Sequence, residues 1–266
     1  MNYSDIYTFL EPLCKEAGAI ALKYQNNLQV DHKNDKEEIL SVVTIADKEI
    51  DTLLKETLTT KYPDIGWLSE ETEDNSARLD KEYVWIVDPI DGTKSYIDGT
   101  GYYAVSIGLV KNGVPVLGMV YNPAQNELFG GYVGSGVLFN GEKISYNYSQ
   151  VMQNSTCLVS CNETKKGLWK PYKDVIKTKP VHSIAYKLAV AAIGEGDAIV
   201  TLKPKSEWDL AAGHLLCMEA GLKVTDLQGN KIIYNKPDVI APGLIAAPKA
   251  WQSELQVLLS DTKKAS

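Results

Sequence analysis

Hydrophobic residues recur along this chain at two different spacings. Near the start, Ile6, Phe9, Leu10, Leu13, Cys14 and Ala17 follow i, i+3, i+4 spacing, which predicts an amphipathic helix with Ser4 placed to cap it. Ile50, Leu53, Leu54 and Leu58 repeat that spacing after the stretch 41–47, where Thr44 and Asp47 have the form of a capping box with Asp replacing Glu or Gln. Val84-Trp85-Ile86-Val87 is instead an unbroken apolar run, as expected of a buried strand. The runs 103–110 and 114–121 flank Lys111-Asn112-Gly113, and an Asn-Gly pair between apolar runs predicts a hairpin. Residues 127–133 and 137–139 extend this meander, with Asn140-Gly141 as a further turn. Beyond the polar stretch 147–156, helices and strands alternate: 186–193, a short strand from Asp197, and a small-residue helix from Trp208 to about Gly221. That polar stretch is the expected seam between an N-terminal α+β half, 1–150, and a C-terminal α/β half, 151–266, joined in one compact unit.

Acids follow apolar runs abruptly at two places, and a third acid opens a helix. The strand at Val84–Val87 delivers Asp88 and Asp91 three positions apart, with Pro89 between them and Gly92-Thr93 able to open a helix. Carboxylates directly behind a core strand are costly unless a cation lies between them, and free N–H groups at a helix start favour phosphate. An ordinary Asp-Pro-Gly turn is the bland alternative. Trp67-Leu68-Ser69-Glu70-Glu71 is a second junction, with Glu70 a candidate ligand and Glu71 to Asp74 read as exposed loop. Asp209 lies in the first turn of the helix from Trp208, where acids are favoured in any case, but the small residues after it permit the close approach a buried metal site needs.

Composition narrows the chemistry. The chain has 266 residues, enough for a large core, and a formal charge of −7 that argues against a nucleic-acid polymer as partner. The same charge would repel a phosphorylated substrate without local cations, which again points to metal. Cys14, Cys157, Cys161 and Cys217 contain no Cys-x-x-Cys pair and read as free thiols of a reducing compartment, so a cytoplasmic location is expected. Zinc at Cys157 and Cys161 is disfavoured because the chain has three His in all, and His214 and Cys217 read as core. No apolar stretch approaches membrane-spanning length, so no membrane partner is expected. Gly130, Gly131, Gly134 and Gly136 lack the spacing of a dinucleotide fingerprint. The charged run 31–38 reads as a solvated loop, or as a mobile one whose Lys33 or Lys36 closes over an anion. Lys187, near the start of an apolar helix, either snorkels to the surface or holds a phosphate.

Taken together and in order, Trp67-Leu68-Ser69-Glu70-Glu71, Asp88-Pro89-Ile90-Asp91-Gly92-Thr93 and Trp208-Asp209-Leu210-Ala211-Ala212-Gly213 resemble the inositol monophosphatase superfamily of Mg2+-dependent, lithium-sensitive phosphomonoesterases. The resemblance implies an α/β, α+β fold, an alternating αβαβα layered sandwich. It implies that Glu70, Asp88 and the Ile90 carbonyl hold one Mg2+, that Asp88, Asp91 and Asp209 hold a second, and that a third, weaker ion lies near Glu70. Thr93 would then position the attacking water, Asp47 or Glu70 would take its proton, and the Gly92 and Thr93 N–H groups would bind phosphate oxygens. Asp91 and Asp209 would also face the substrate, a small phosphorylated molecule, in a monomer or homodimer.

For the substrate the resemblance divides. Lys94 after Asp-Gly-Thr, and Lys187 ten residues before Asp197, resemble the branch that cleaves 3'(2'),5'-bisphosphate nucleotides. Leu202 stands where inositol monophosphatases carry a substrate-binding Glu. Ser183-Ile184-Ala185-Tyr186 departs from the Gly-Ser-Ser that commonly precedes the nucleotidase Lys. The leading expectation is hydrolysis of adenosine 3',5'-bisphosphate to AMP and phosphate. Inositol monophosphate or a related sugar phosphate is the alternative, and a metal-binding partner protein without turnover is a third.

Overall fold

The Val84–Val87 run explains the architecture, because its alternate side chains enter two different cores. A computed structural model describes residues 1–25, 30–34 and 40–261, with side chains for 1–25 and 45–260. In strand order the chain forms β1 (Val30–Asn34), β2 (Leu40–Thr44), β3 (Gly66–Ser69), β4 (Tyr83–Asp91), β5 (Ala104–Lys111), β6 (Val114–Asn122), β7 (Glu127–Tyr132), β8 (Val137–Phe139) and β9 (Glu142–Ile144). These are followed by β10 (Thr156–Ser160), β11 (Lys177–Val181), β12 (Ala198–Thr201), β13 (Lys205–Ser206), β14 (Lys223–Thr225), β15 (Ile240–Ala241) and β16 (Leu244–Ala247). The helices are α1 (Tyr3–Gln25), α2 (Ile45–Lys61), α3 (Thr93–Ile97), α4 (Cys161–Lys165), α5 (Ile184–Ala192), α6 (Glu207–Glu219) and α7 (Gln252–Asp261).

Seven strands make one sheet in the order β3-β4-β5-β6-β7-β8-β9, and five make another in the order β11-β10-β12-β16-β14. Trp85 and Val87 of β4 pack with Leu10, Leu13 and Cys14 of α1 and Ile50 and Leu54 of α2. Val84 and Ile86 point the other way, into the core made by Leu188 of α5 and Leu210 and Leu216 of α6. That same core takes Leu158, Ile199 and Leu244 from the second sheet. The far side of the second sheet, Val159, Val200 and Ile245, is covered by Trp251, Leu255 and Leu259. The layers are therefore helix, sheet, helix, sheet, helix, and the central pair α5 and α6 is apolar nearly all round because sheets cover both its faces.

Helix α6 lies close against the first sheet because glycines lie beneath it. A Cβ at Gly108 of β5 would sit 2.9 Å from Ala211 Cβ, and one at Gly118 of β6 would collide with the Ala212 carbonyl. The small residues after Asp209 and the glycines of the two strands thus form one seam, which seats the start of α6 over the end of β4.

Four expectations need correction. Asn2, not Ser4, caps α1: the Ser4 N–H donates to Asn2 Oδ1 at 3.1 Å, and α1 then runs through Pro12 to Gln25. Part of the charged run taken for a loop is strand, with Asp31 paired to Val43 and Asn34 to Leu40 in an antiparallel hairpin. Lys33, Lys36 and Thr44 fall outside the described side chains, as does the backbone of 35–39. Lys187 does not snorkel, being 1% exposed. Helix α5 begins at Ile184, earlier than the pattern implied, because the Ser183 hydroxyl accepts from the Tyr186 N–H at 3.1 Å and starts it there.

Candidate active site

The end of β4 carries an irregularity that places its two acids together. On the partner strand β5, Asp88 is opposite Ser106 and Asp91 is opposite Ala104, so three steps on β4 match two on β5. In a regular strand, residues three apart face opposite sides of the sheet; one extra residue at Pro89-Ile90 returns Asp91 to the face of Asp88. That is the face of α6, whose first turn carries Asp209. Each of Asp88, Asp91 and Asp209 offers a carboxylate oxygen, and these oxygens all lie within 4.8 Å of one another.

Each carboxylate is only partly satisfied by the protein. Asp209 Oδ2 accepts the Ser206 N–H at 3.0 Å, so the capping role and the cluster role coexist in one side chain. Asp91 Oδ2 accepts from the Ser183 hydroxyl and the Ala185 N–H, both at 2.5 Å, joining β4 to the start of α5. Asp88 is buried and its Oδ1 has no partner, the one carboxylate oxygen among the described residues so placed. A buried, unpartnered carboxylate oxygen is costly by itself and suits a divalent cation.

Charge crowding gives the same reading. Burial, then Glu70, Asp91, Asp209 and Asp47, push the Asp88 carboxyl well above the usual carboxylate range. Burial, then Asp91, raises Asp209 to about 6, against the pull of Lys205, the Ser206 N–H and Lys187. Glu70 follows β3 and reaches solvent, yet the protein bulk around it, then Asp209, Glu71, Asp47 and Asp91, raise it to about 8. Burial also raises Asp91, opposed by its hydrogen bonds from Ser183 and Ala185 and by Lys205 and Lys187. The structure thus gathers Asp47, Glu70, Asp88, Asp91 and Asp209, drawn from separate layers, into one electrostatic unit.

Two features hold the contributors in place. Asp51, buried one turn after Asp47 on α2, accepts from the Ser69 and Thr72 hydroxyls at 2.5 Å each, and these residues flank Glu70 and Glu71. Gly92 has φ of 91°, and a Cβ there would lie 3.0 Å from the Tyr102 carbonyl oxygen and 3.1 Å from Ser183 Cβ, so only glycine fits the turn. The Thr93 hydroxyl donates to the Ile90 carbonyl at 3.0 Å, leaving its oxygen as an acceptor.

Beside the acids lies a cavity of about 140 Å³ lined by Asp91, Gly92, Lys94, Ser160, His182, Ser183, Lys187 and Lys205. Lys187 Nζ is 3.5 Å from Thr201 Oγ1, and burial, then Lys205, lowers its pKa to about 8 against the pull of Glu163, Cys157 and Asp91. Leu202 is not among the residues that line this cavity; it borders a separate groove with Leu168, Tyr172 and Leu227. His214 and Cys217 are core as read, His214 Nδ1 lying 2.9 Å from the Tyr234 hydroxyl. Sequence reading missed Lys205, which sits in a two-residue strand with no motif, and Ser183, whose link to Asp91 spans 92 residues. The φ of 54° at Ser183 has no signature in a Ser-Ile dipeptide.

The model of the inositol monophosphatase family matches residues 2–264. The 3'(2'),5'-bisphosphate nucleotidase CysQ of Salmonella typhimurium is 33% identical over 244 residues, 88% of this chain and 97% of that one. The inositol-1-monophosphatase of Bacillus subtilis is 28% identical over 241 residues, covering 88% and 89%. Among solved structures, Thermotoga maritima IMPase superposes with a TM-score of 0.83 at 24% identity, covering 98% and 99%. No described helix is long and apolar enough to cross a membrane. From the gathered acids and the match along nearly the whole chain, the protein belongs to the inositol monophosphatase family and is a phosphomonoester hydrolase of that superfamily.

Proposed function

We propose that this enzyme is a Mg2+-dependent phosphatase of 3'(2'),5'-bisphosphate nucleotides, converting adenosine 3',5'-bisphosphate to AMP and phosphate. The observation that carries the substrate choice is the grouping of Lys94, Lys187 and Lys205 around one small cavity beside the acids, in a chain of net charge −7. A substrate with two phosphates supplies an anion for the acid centre and another for the lysines. A polyol such as inositol has no use for three ammonium groups.

The acid cluster fits Mg2+ through the partnerless Asp88 oxygen and the all-oxygen donor set. Glu70, Asp88 and the Ile90 carbonyl would hold one ion, and Asp88, Asp91 and Asp209 a second, with a weaker third near Glu70. When bound, the ions supply Lewis-acid charge that lowers the pKa of water and offsets charge on the phosphoryl group and leaving oxygen. The chain itself positions and transfers protons. The Thr93 hydroxyl, its hydrogen committed to Ile90, accepts from the attacking water and orients it. Glu70 or Asp47 takes the proton. The Gly92 and Thr93 N–H groups bind phosphoryl oxygens, while Lys187 holds the phosphate that is not cleaved. Location in the cytoplasm belongs to this same reading.

Phosphate release from adenosine 3',5'-bisphosphate and inositol 1-phosphate, each with Mg2+ and with chelator, tests it. The expected result is a strong nucleotide preference in kcat/KM that chelator abolishes. Preference for inositol phosphate, the second reading that the Bacillus subtilis relative supports, would overturn the substrate assignment and leave the metal site standing.

A further inference from the structure

The cavity has an aromatic rim that cleavage of a phosphate ester does not itself require. His182 lines the cavity, and the Tyr102 ring stacks on it with centroids 6.5 Å apart and planes 29° from parallel. Tyr186 supports Tyr102 from another side, centroids 6.3 Å apart, and is itself fixed by a 2.6 Å hydrogen bond from its hydroxyl to Glu127. Despite that support Tyr102 remains 44% exposed. Its place is set by the acid turn, because its carbonyl oxygen packs against Gly92. Burial, then Lys165 and Lys94, holds the His182 imidazole below its ordinary range despite the opposing pull of Asp98. Partly desolvated rings at the rim of a cationic cavity match one kind of ligand, a flat heteroaromatic ring carrying phosphates. Aromatic stacking on such rings is worth a substantial free energy and tolerates any base.

We infer that Tyr102 and His182 form a stacking platform for the base of the substrate, while Lys94, Lys187 and Lys205 take its phosphate. This rests on the bisphosphate-nucleotide reading above. The platform recognises an aromatic π-face, which neither inositol nor an abasic sugar phosphate offers. Tyr102 and His182 are thus specificity-determining residues, apart from the groups that act on the scissile bond.

The test compares adenosine 3',5'-bisphosphate with the same ribose bisphosphate lacking the base, in wild type, Tyr102→Ala, Tyr102→Phe and His182→Ala. The preference for nucleotide over abasic substrate in kcat/KM should fall about tenfold in Tyr102→Ala. The loss should lie in KM, and Tyr102→Phe should restore the preference. His182→Ala should lower the preference in the same direction. A wild type that prefers the nucleotide while Tyr102→Ala leaves the preference unmoved, or while Phe fails to rescue it, overturns the platform alone. A wild type with no preference for either bisphosphate over inositol 1-phosphate overturns the substrate reading, and the platform with it.

Discussion

Glu207 and Asp209 stand two residues apart at the start of α6, the first buried and the second half-buried, and their surroundings differ completely. Glu207 is held on both oxygens, by the Asn235 N–H at 2.6 Å and the Lys236 N–H at 3.2 Å. The network continues from Asn235 Oδ1 to Arg78 Nη1 at 2.7 Å, and from Arg78 to both oxygens of Asp74 at 2.6 and 2.7 Å. Asp209, by contrast, has one backbone donor and faces other acids. One cluster is a finished polar network that ties α6 to the segment after β3. The other is left short of positive charge, and that deficit is what a metal-dependent phosphatase can use. Burial alone does not distinguish structure from function; the partner count does.

The largest effects should separate the two clusters. Asp88→Asn removes a carboxylate without changing shape, and should lower kcat by about a thousandfold or more at saturating Mg2+. In chelator the same variant should melt at a higher temperature than wild type, because a repelled charge has gone; thermal unfolding followed by circular dichroism reads this directly. The finished cluster should behave oppositely. Arg78→Ala should cost about 3 kcal/mol in denaturant unfolding, with or without metal, since Asn235 and the Lys236 carbonyl lose a buried donor.

A smaller effect is expected at Asp51, a satisfied carboxylate serving the unsatisfied cluster. Asp51→Ala should cost about 1–2 kcal/mol and raise the Mg2+ concentration for half-maximal activity, as Ser69 and Thr72 stop fixing the segment that carries Glu70. An unchanged metal requirement would confine Asp51 to a purely structural role.

The last effect vanishes at neutral pH and emerges only in acid. Burial lowers His214 to about 4, below its ordinary value of 6.5, so the native state holds it neutral where the unfolded chain would protonate it. Its contribution is complete above pH 6.5 and is lost as pH falls through about 4. Stability should therefore drop across that window, and His214→Gln should flatten the slope of unfolding free energy against pH there.

The same contrast shows what sequence reading reaches. The Asn112-Gly113 and Asn140-Gly141 turns were legible because positive φ, 48° and 79° in the first and 49° and 84° in the second, is a local demand met by local residue types. Asp88 and Glu70 were legible because each follows an apolar run, and the three motifs together pointed to a family. What the pattern did not carry was long-range partnership. Arg78 and Asn235 are 157 residues apart, Ser183 and Asp91 are 92 apart, and nothing local marks either pair. Lys187 was misjudged between surface and site for a related reason: α5 lies between two sheets, so it has no solvent face to which that lysine can snorkel.

The central claim is that the crowded carboxylates around Asp88 form a metal centre, and titration calorimetry of Mg2+ into metal-free enzyme measures it most directly. Saturable binding in wild type, weakened strongly in Asp88→Asn and unchanged in Glu207→Gln, is the predicted result. Equal binding in wild type and Asp88→Asn, or none in either, would contradict it.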